Sequence, residues 1–219
     1  MTARGDETRN RLLDVAEQMF GDRGVNGVSL REIRLASGAR NTAAIQFHFG
    51  DREGLVHALT ARHMPRIAEL QQERYDVMVR EGRQDDSRSL VEVLVRPSAD
   101  YLLLGPSERA WVKIMGDLGA EPALEPNEMA LLAPEPALRV SRRLYERLST
   151  SVPEDIALER MVVLAQFAVH LCADRARLED APGDRRTHAP RELFVENLTD
   201  MVTGALFAPV GPRGVLHPG

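Results

Sequence analysis

The stretch that decides the fold runs from Ser29 to Gly50 and reads SLREIRLASGARNTAAIQFHFG. Ser29, with Glu32 three residues later, forms the capping-box pattern with which many helices begin. Gly38 ends this first short helix, because glycine readily takes the backbone conformation that follows a helix C-terminus. A second short helix is predicted from about Asn41 to Phe49 by apolar residues spaced four apart. Two short helices joined by a tight turn that contains glycine indicate a helix-turn-helix.

Helical periodicity continues on both sides of this pair. A longer helix precedes it, with apolar residues at helical spacing from Leu12 to Phe20, and Gly24 closes that helix. Asp51 caps a fourth helix that runs through Leu59. Later helices are predicted at 65–81, 88–104, 107–118, 136–149, 153–178 and 190–207. The sequence therefore predicts an all-α fold.

Prolines mark several predicted boundaries. Pro65 and Pro153 suit the first turn of a helix, where the backbone N–H would be unpaired anyway, whereas Pro97 is expected to kink the helix it interrupts. Stretches rich in proline, glycine or polar residues predict loops. These are Gly119–Pro136, residues 179–189 and the tail that begins at Pro209.

Composition predicts a soluble, cytoplasmic protein. Hydrophobic residues make up 43% of the 219 positions and charged residues 28%, which is typical of globular chains. The single cysteine, Cys172, excludes an internal disulfide and a cysteine-based zinc site. The first residues lack the apolar segment of a signal peptide. The longest strongly apolar stretch, Met161–Ala173, is too short to span a bilayer, so no membrane partner is expected.

Charge is unevenly distributed along the chain. The net charge is −5, yet residues 1–52 carry eight arginines against seven acidic residues. A mildly basic module on an acidic body can bind DNA, because only the contacting face neutralises phosphates. The charge distribution therefore permits DNA binding without requiring it.

The N-terminal sequence resembles the tetracycline-repressor (TetR) family. The residues that carry the resemblance are Thr8–Phe20, Gly24, Ser29–Ile33, Ala36–Gly38 and Phe47–Leu55. They cover nearly all of the first 55 residues, about a quarter of the chain, whereas the remainder resembles the family only in its helical character and length. There are two departures. One extra residue lies between Gly38 and the Phe-His-Phe run, and Arg34 stands where the family usually has a small residue.

The resemblance implies a division into two functional parts and a tail. Residues 1–52 would form a three-helix DNA-binding domain, residues 53–208 a larger helical domain that binds an effector and dimerises, and residues 209–219 a flexible tail. The last two long helices would pair with their copies in a homodimer. The expected function is a sequence-specific regulator, a repressor that a small apolar effector releases from a palindromic double-stranded operator.

Helix phase and the resemblance assign roles to the same side chains. Thr42, Ala43 and Gln46 occupy the exposed face of the second short helix, where glutamine can read adenine and a methyl group can contact thymine. An ordinary solvated side chain is the alternative for Gln46. The residues better suited to phosphates are Ser29, Arg40, Asn41, His48 and Arg52, and His48 also fits a core or capping role.

An effector pocket is predicted from apolar residues with a few polar handles. Its candidate lining is Tyr101, Trp111, Met115, Met161, Phe167 and His170. Residues of these types at helical spacing also suit a plain core, and that interpretation stays open. Because the set carries little charge, an apolar effector is expected.

Catalytic motifs are not found, so we expect no enzyme, cofactor or metal. The sequence lacks a Gly-x-Ser-x-Gly elbow, a phosphate-binding loop ending in Gly-Lys and a His-Glu-x-x-His pair. Two i,i+4 pairs, Glu53–His57 and His170–Asp174, each offer two metal ligands without a third. The alternative function is a helical small-molecule-binding or carrier protein with a vestigial helix-turn-helix, an interpretation that rests on Arg34 and on the acidic net charge.

Overall fold

A computed structural model describes residues 3–119, 133–181 and 189–211 of the chain. Within these ranges there are nine helices and no strand, which confirms the all-α prediction. In chain order the helices are α1 (Ala3–Arg23), α2 (Leu30–Ala36), α3 (Ala44–Phe49), α4 (Arg52–Arg80), α5 (Ser87–Tyr101), α6 (Pro106–Gly119), α7 (Glu135–Leu148), α8 (Glu154–Asp180) and α9 (Arg191–Leu206).

Helices α1, α2 and α3 form the predicted helix-turn-helix unit around a small core. Ile33 of α2 is fully buried, and Leu13 of α1 and Ile45 of α3 are almost fully buried. The capping box at Ser29 forms as predicted, since the Glu32 N–H donates to the Ser29 hydroxyl over 3.2 Å and the Ser29 N–H donates to the Glu32 carboxylate over 2.8 Å. Local capping and apolar burial therefore fix this unit.

The remaining helices form the body, in which α5 is central. Helix α5 packs against α4, α7 and α9. Its Arg96 has only 8% of its side chain exposed and donates to Glu92, Glu192 and Glu196 over 2.7–3.0 Å. These ion pairs join α5 to α9, because two of the three carboxylates belong to α9.

Helix α6 lies between the helix-turn-helix and the C-terminal helices. It packs against α1 on one side and α8 on the other. Both contacts pair a glycine with an alanine. A Cβ at Gly21 would lie 2.7 Å from the Cβ of Ala110, and a Cβ at Gly116 would overlap that of Ala173. The helices approach this closely because glycine has no side chain to separate them.

Two boundaries differ from the sequence-based prediction. Residues 52–80 form one continuous helix, so Pro65 lies inside α4 and does not start a new helix. Pro97 lies inside α5, within the helix predicted at 88–104. Helix α3 begins at Ala44, after a turn, and not at Asn41. A proline inside a helix removes one backbone hydrogen bond, and packing on neighbouring helices offsets that loss here.

Much of the predicted loop sequence lies outside the described residues. This holds for most of Gly119–Pro136, for residues 182–188 and for the tail beyond 211. The predicted boundary between residues 52 and 53 falls at the start of α4, and the division into domains remains a proposal.

Candidate nucleic-acid interface

Helix α3 turns one face inward and the opposite face outward. Ala44 and Ile45 are buried, whereas Gln46 is exposed and Phe47 has 77% of its surface exposed. Thr42 and Ala43, which precede the helix, are also exposed. The three side chains predicted to read bases therefore lie together on the outer surface of the helix-turn-helix.

The turn before α3 is held by its own side chain. The Asn41 side-chain oxygen accepts a hydrogen bond from the Ala43 N–H over 3.0 Å. This local bond fixes the backbone that carries Thr42 and Ala43. Asn41, predicted to contact phosphate, thus has a structural role through its oxygen, while the residue itself remains exposed.

Ser29 also has a structural role at the predicted interface. Its hydroxyl donates to Glu32 over 2.7 Å, and this bond, with the Ser29 N–H and Arg23, lowers the pKa of Glu32 from 4.5 to about 2. Arg23 lies 3.0 Å from the same carboxylate. A fully ionised Glu32 lies near the helix N-terminus, where negative charge is favourable.

The two arginines predicted to contact phosphates differ in their surroundings. Arg40 is exposed and makes no ion pair within the described part of the chain. Arg52 is half-buried, and its guanidinium donates to the Val25 carbonyl and lies 5.8 Å from the centre of the Phe20 ring. Arg52 therefore ties α4 to α1 and the following turn, a role that the sequence did not reveal.

His48 and Arg34 are both only partly exposed. The His48 ring meets Phe47 edge to face at 4.9 Å, so the imidazole lies at the edge of the exposed surface and not in the core. The Arg34 guanidinium donates to the Ala39 carbonyl over 3.1 Å. This bond spans the turn between α2 and α3, so the departure at Arg34 is accommodated by a hydrogen bond.

Phe47 is the residue that the sequence analysis missed on this surface. A phenylalanine is usually buried, yet this one is the most exposed large apolar residue of the described chain. The signal was present in the sequence, because Phe47 follows Ile45 by two positions and so points away from the buried face of a helix. An exposed aromatic ring can contact a thymine methyl group.

The predicted effector-pocket residues differ in their exposure. Tyr101 and Trp111 are buried in the core, and His170 has 53% of its side chain exposed. Met115, Met161 and Phe167 are partly buried against the core. Two shallow surface depressions are lined by other residues, and the effector pocket stays a prediction.

One property of Trp111 is unusual for a core residue. Its indole Nε1–H is buried and has no hydrogen-bond partner within the described ranges. A buried donor without a partner lowers stability, which singles out this position in the body.

The two candidate metal pairs do not form a metal centre in the described residues. His57 Nε2 lies 3.9 Å from Glu53, and His170 Nε2 lies 3.7 Å from Asp174. No group of three or more potential metal ligands is found among the residues described.

Helix α8 corrects the expectation that no segment is long enough to span a membrane. Its 27 residues include a window with a mean hydropathy of 1.6, so by length and composition alone it qualifies as a candidate span. Only 17% of that window is buried.

Helices α1 to α3 and the exposed face of α3 form a helix-turn-helix, the motif whose second helix enters the major groove in DNA-binding proteins. Residues 12–59 match the family described as "Bacterial regulatory proteins, tetR family". The N-terminal part of the chain is therefore similar to the DNA-binding domain of that family.

Curated relatives match over the N-terminal part of the chain. The HTH-type transcriptional repressor AcnR of Corynebacterium glutamicum is 34% identical over 87 residues, covering 38% of this chain and 46% of that protein. The AcnR of Corynebacterium efficiens gives the same values. The HTH-type transcriptional regulator AcrR of Shigella flexneri is 39% identical over 67 residues, 31% of each chain. The alignment spans about half the length of the AcnR relatives.

One solved structure matches over most of the chain. It is described as the crystal structure of a gamma-butyrolactone receptor, an ArpA-like protein. The match covers 92% of this chain and 98% of that one, with 22% identity and a TM-score of 0.47.

Proposed function

We propose that this protein is a cytoplasmic, dimeric transcriptional regulator that represses at a palindromic operator and is released by a small apolar effector. The observation that carries the proposal is the outward face of α3, where Gln46 and Phe47 stand exposed on a capped and braced helix-turn-helix. The tetR-family match at residues 12–59 supports it. Because DNA is the proposed partner, the cytoplasm is the proposed location.

The exposed face offers chemistry for both kinds of DNA contact. The Gln46 amide can pair with the N6 and N7 edge of adenine, and the methyl groups of Thr42 and Ala43 can contact thymine. Phe47 adds an aromatic surface beside Gln46. Arg40, Asn41 and His48 surround this face and suit phosphates, which position the protein without specifying sequence.

A second copy of this chain is the proposed occupant of the apolar surface on α8 and α9. Leu158 and Val163 of α8, and Leu193 and Met201 of α9, have 45–58% of their surfaces exposed. Packing these two helices against their copies makes a four-helix interface with twofold symmetry. Such a dimer places two recognition helices about one helical turn of DNA apart, roughly 34–36 Å.

The effector is proposed to bind in the body because the residues around Trp111 are mostly apolar. The body is closely packed there, and Trp111 is fully buried. A ligand that enters there must separate helices that touch in the present state. The ligand shifts the equilibrium between the closed and the opened state only to the extent that it binds the opened state more tightly. The carrier alternative gains no support from Arg34, because this residue braces the turn that the helix-turn-helix requires.

Selection of binding sequences from a random duplex library tests the proposal. We expect the purified protein to enrich a palindrome, and footprinting to show that it protects such a site near its own gene. Gln46→Ala should lose preference at one base pair, whereas Gln18→Ala, an exposed glutamine on α1, should not. Failure to enrich any sequence would overturn the proposal and favour the carrier function.

A further inference from the structure

We propose that Glu17, His63 and Tyr101 form a joint that fixes the angle between the helix-turn-helix and the body, and that His63 is thereby a positioning residue for operator recognition. This inference rests on the proposed DNA-binding function. The group of Glu17, His63, Tyr101 and Trp111 is called the joint cluster below.

The joint cluster brings four helices together around one imidazole. His63 of α4 is 2% exposed; its Nε2 meets the Glu17 carboxylate of α1, and its Nδ1 lies 2.6 Å from the Tyr101 hydroxyl of α5. The ring lies flat on the Trp111 indole of α6, with centroids 5.1 Å apart and planes 7° apart. Both ring nitrogens and one ring face are therefore engaged by different helices.

Both ring nitrogens of His63 have a hydrogen-bonding partner. The imidazole Nε2–H donates to the Glu17 carboxylate. At Nδ1 the Tyr101 hydroxyl donates to a neutral ring and accepts from an imidazolium, so the two bonds form in either protonation state. Rotating either neighbouring helix away breaks one of these bonds and leaves a buried polar group without a partner.

Glu17 carries a buried charge that depends on this arrangement. It is 4% exposed, and burial by itself raises its pKa. The hydrogen bond and charge of His63, the Ser107 hydroxyl and Arg62 together outweigh burial, so the pKa of Glu17 is lowered. Arg62 Nη1 lies 3.0 Å from Glu17 and 2.8 Å from Asp14. Removing one partner of a buried charge is costly, which favours a single angle between α1 and α4.

The location of the cluster suits a joint. His63 lies about 18 Å along α4 from its N-cap, at 1.5 Å per residue, and just beyond the matched family segment that ends at residue 59. Helix α4 is the covalent link between the helix-turn-helix and the body. Pro65, two residues further on, cannot donate a backbone hydrogen bond to the Ala61 carbonyl, so α4 is weakened at this level. The cluster therefore braces the link where its backbone lacks one helical hydrogen bond.

Trp111 connects the joint to the body's interior. Its indole covers the His63 ring while its own Nε1–H has no partner among the described residues. A molecule that draws the indole away uncovers His63 and loosens the contact with Glu17. The joint thus offers a physical route by which a change in the body alters the angle of α1 and α3.

The first test measures the angle without DNA. Spin labels on Arg31→Cys in α2 and Glu146→Cys in α7 report the distance between the helix-turn-helix and the body. Both sites are exposed, whereas the native Cys172 is fully buried and should not be labelled. Labelled chains are diluted with an excess of unlabelled protein. We expect a narrow distance distribution in the parent and a broad one in His63→Phe, which keeps the stack and loses both hydrogen bonds.

A matched control separates positioning from stability. Lys113→Met removes a buried cation that pairs with Asp180 of α8 inside the body and does not touch the joint cluster. It should lower the melting temperature and leave the distance distribution narrow. Glu17→Met, which has a similar volume and no acceptor for the His63 Nε2–H, serves if His63→Phe does not fold. A distribution as narrow in the joint variants as in the parent would overturn the proposal.

The second test uses the selected palindrome with its half-sites moved apart in single base pairs. If loosening leaves about a tenth of the molecules at the correct angle, affinity for the best spacing falls about tenfold in His63→Phe, whereas affinity for an isolated half-site is unchanged. Equal loss on both duplexes would show that His63 supports only the domain's own fold. A parent that binds no duplex would overturn the proposed function, and the spin-label distances would still decide the joint.

Discussion

The helix-turn-helix and the body differ in how far apart along the chain their interacting polar residues lie. In the first unit Ser29 bonds Glu32, Asn41 bonds Ala43 and Arg34 bonds Ala39, across two to five residues. In the body Arg96 bonds Glu196 across 100 residues and Arg88 bonds Asp200 across 112. Local bonds leave a pattern in the sequence, whereas distant ones do not. The comparison explains why the sequence revealed the helix-turn-helix in detail and the body only as helices.

The prediction with the largest expected effect concerns the exposed apolar surface of α8 and α9. It tests whether a second copy of the chain covers that surface. A charge at Val163→Glu should give monomers and abolish binding to the palindrome, because burying an unpaired carboxylate in an apolar interface is costly. Light scattering and binding titrations measure both effects. Leu138→Glu, an exposed leucine on α7 outside the proposed interface, should leave a dimer.

The site of this substitution matters. Leu198 of α9 is 1% exposed within the protomer, so a charge there would unfold the chain and could not test the interface. If Val163→Glu remained a dimer, the exposed face of α8 would not be the dimer interface and would have another partner. Sedimentation with lipid vesicles would then test whether that partner is a membrane.

The second prediction concerns the local unit. Ile33→Ala should lower the free energy of unfolding by about 2–5 kcal/mol, because Ile33 is fully buried and the substitution leaves a cavity. Denaturant titration measures the change. Leu35→Ala on the same helix should have almost no effect, since Leu35 is 57% exposed. Similar losses for both variants would contradict the packing of α2 described here.

The third prediction separates base reading from phosphate contact on the α3 face. Gln46→Ala should cost about 1–3 kcal/mol at one base position and relax preference there. Arg40→Ala should weaken all duplexes alike and lower the salt slope by roughly one. Titrations on operator and scrambled duplexes across a salt series distinguish them. Equal weakening of both duplexes by Gln46→Ala would place Gln46 away from the bases.

Arg52 provides a further contrast within the same experiment. Because its guanidinium is bonded to the Val25 carbonyl and packs over Phe20, Arg52→Ala should lower the melting temperature as well as DNA affinity. Arg40→Ala should change affinity alone, since Arg40 is exposed.

The prediction with the smallest expected effect concerns how the free energy of unfolding decreases at acidic pH. The pKa of Glu32 is lowered from 4.5 to about 2 by the Ser29 hydroxyl, the Ser29 N–H and Arg23, so its folded form holds the proton less tightly than the unfolded chain does. This contribution is complete above about pH 4.5 and is lost as the pH falls through about 2. Ser29→Ala should cost about 0.5–2 kcal/mol at neutral pH. The substitution should also reduce the amount by which the free energy of unfolding falls between pH 6 and pH 2. Denaturant titrations across that pH range would measure the difference.

The helix-turn-helix could be predicted closely because each of its signals acts over one helical turn. The capping box at Ser29 is confirmed, and Ile33 and Ile45 are the buried residues at helical spacing that hold the unit together. Phe47 was overlooked although helix phase places it opposite Ile45. The base and phosphate roles of the surrounding residues stay predictions.

The body could be predicted only as a set of helices. Apolar spacing gave the approximate bounds of α5 to α9, but it could not separate a pocket lining from a core. Trp111 and Tyr101 are both buried, and His170, predicted beside them, is half-exposed on α8. Spacing reports which face of a helix is apolar, and it does not report which helix that face meets.

The sequence by itself determined the all-α fold and the helix-turn-helix, since caps, glycine turns and apolar periods are properties of neighbouring residues. Only the tertiary structure decided that α4 continues through Pro65 and that Glu17 meets His63, which lies 46 residues away. Such contacts depend on how helices pack, because the cost of burying a charge or losing a backbone bond is offset by partners that are remote in the chain.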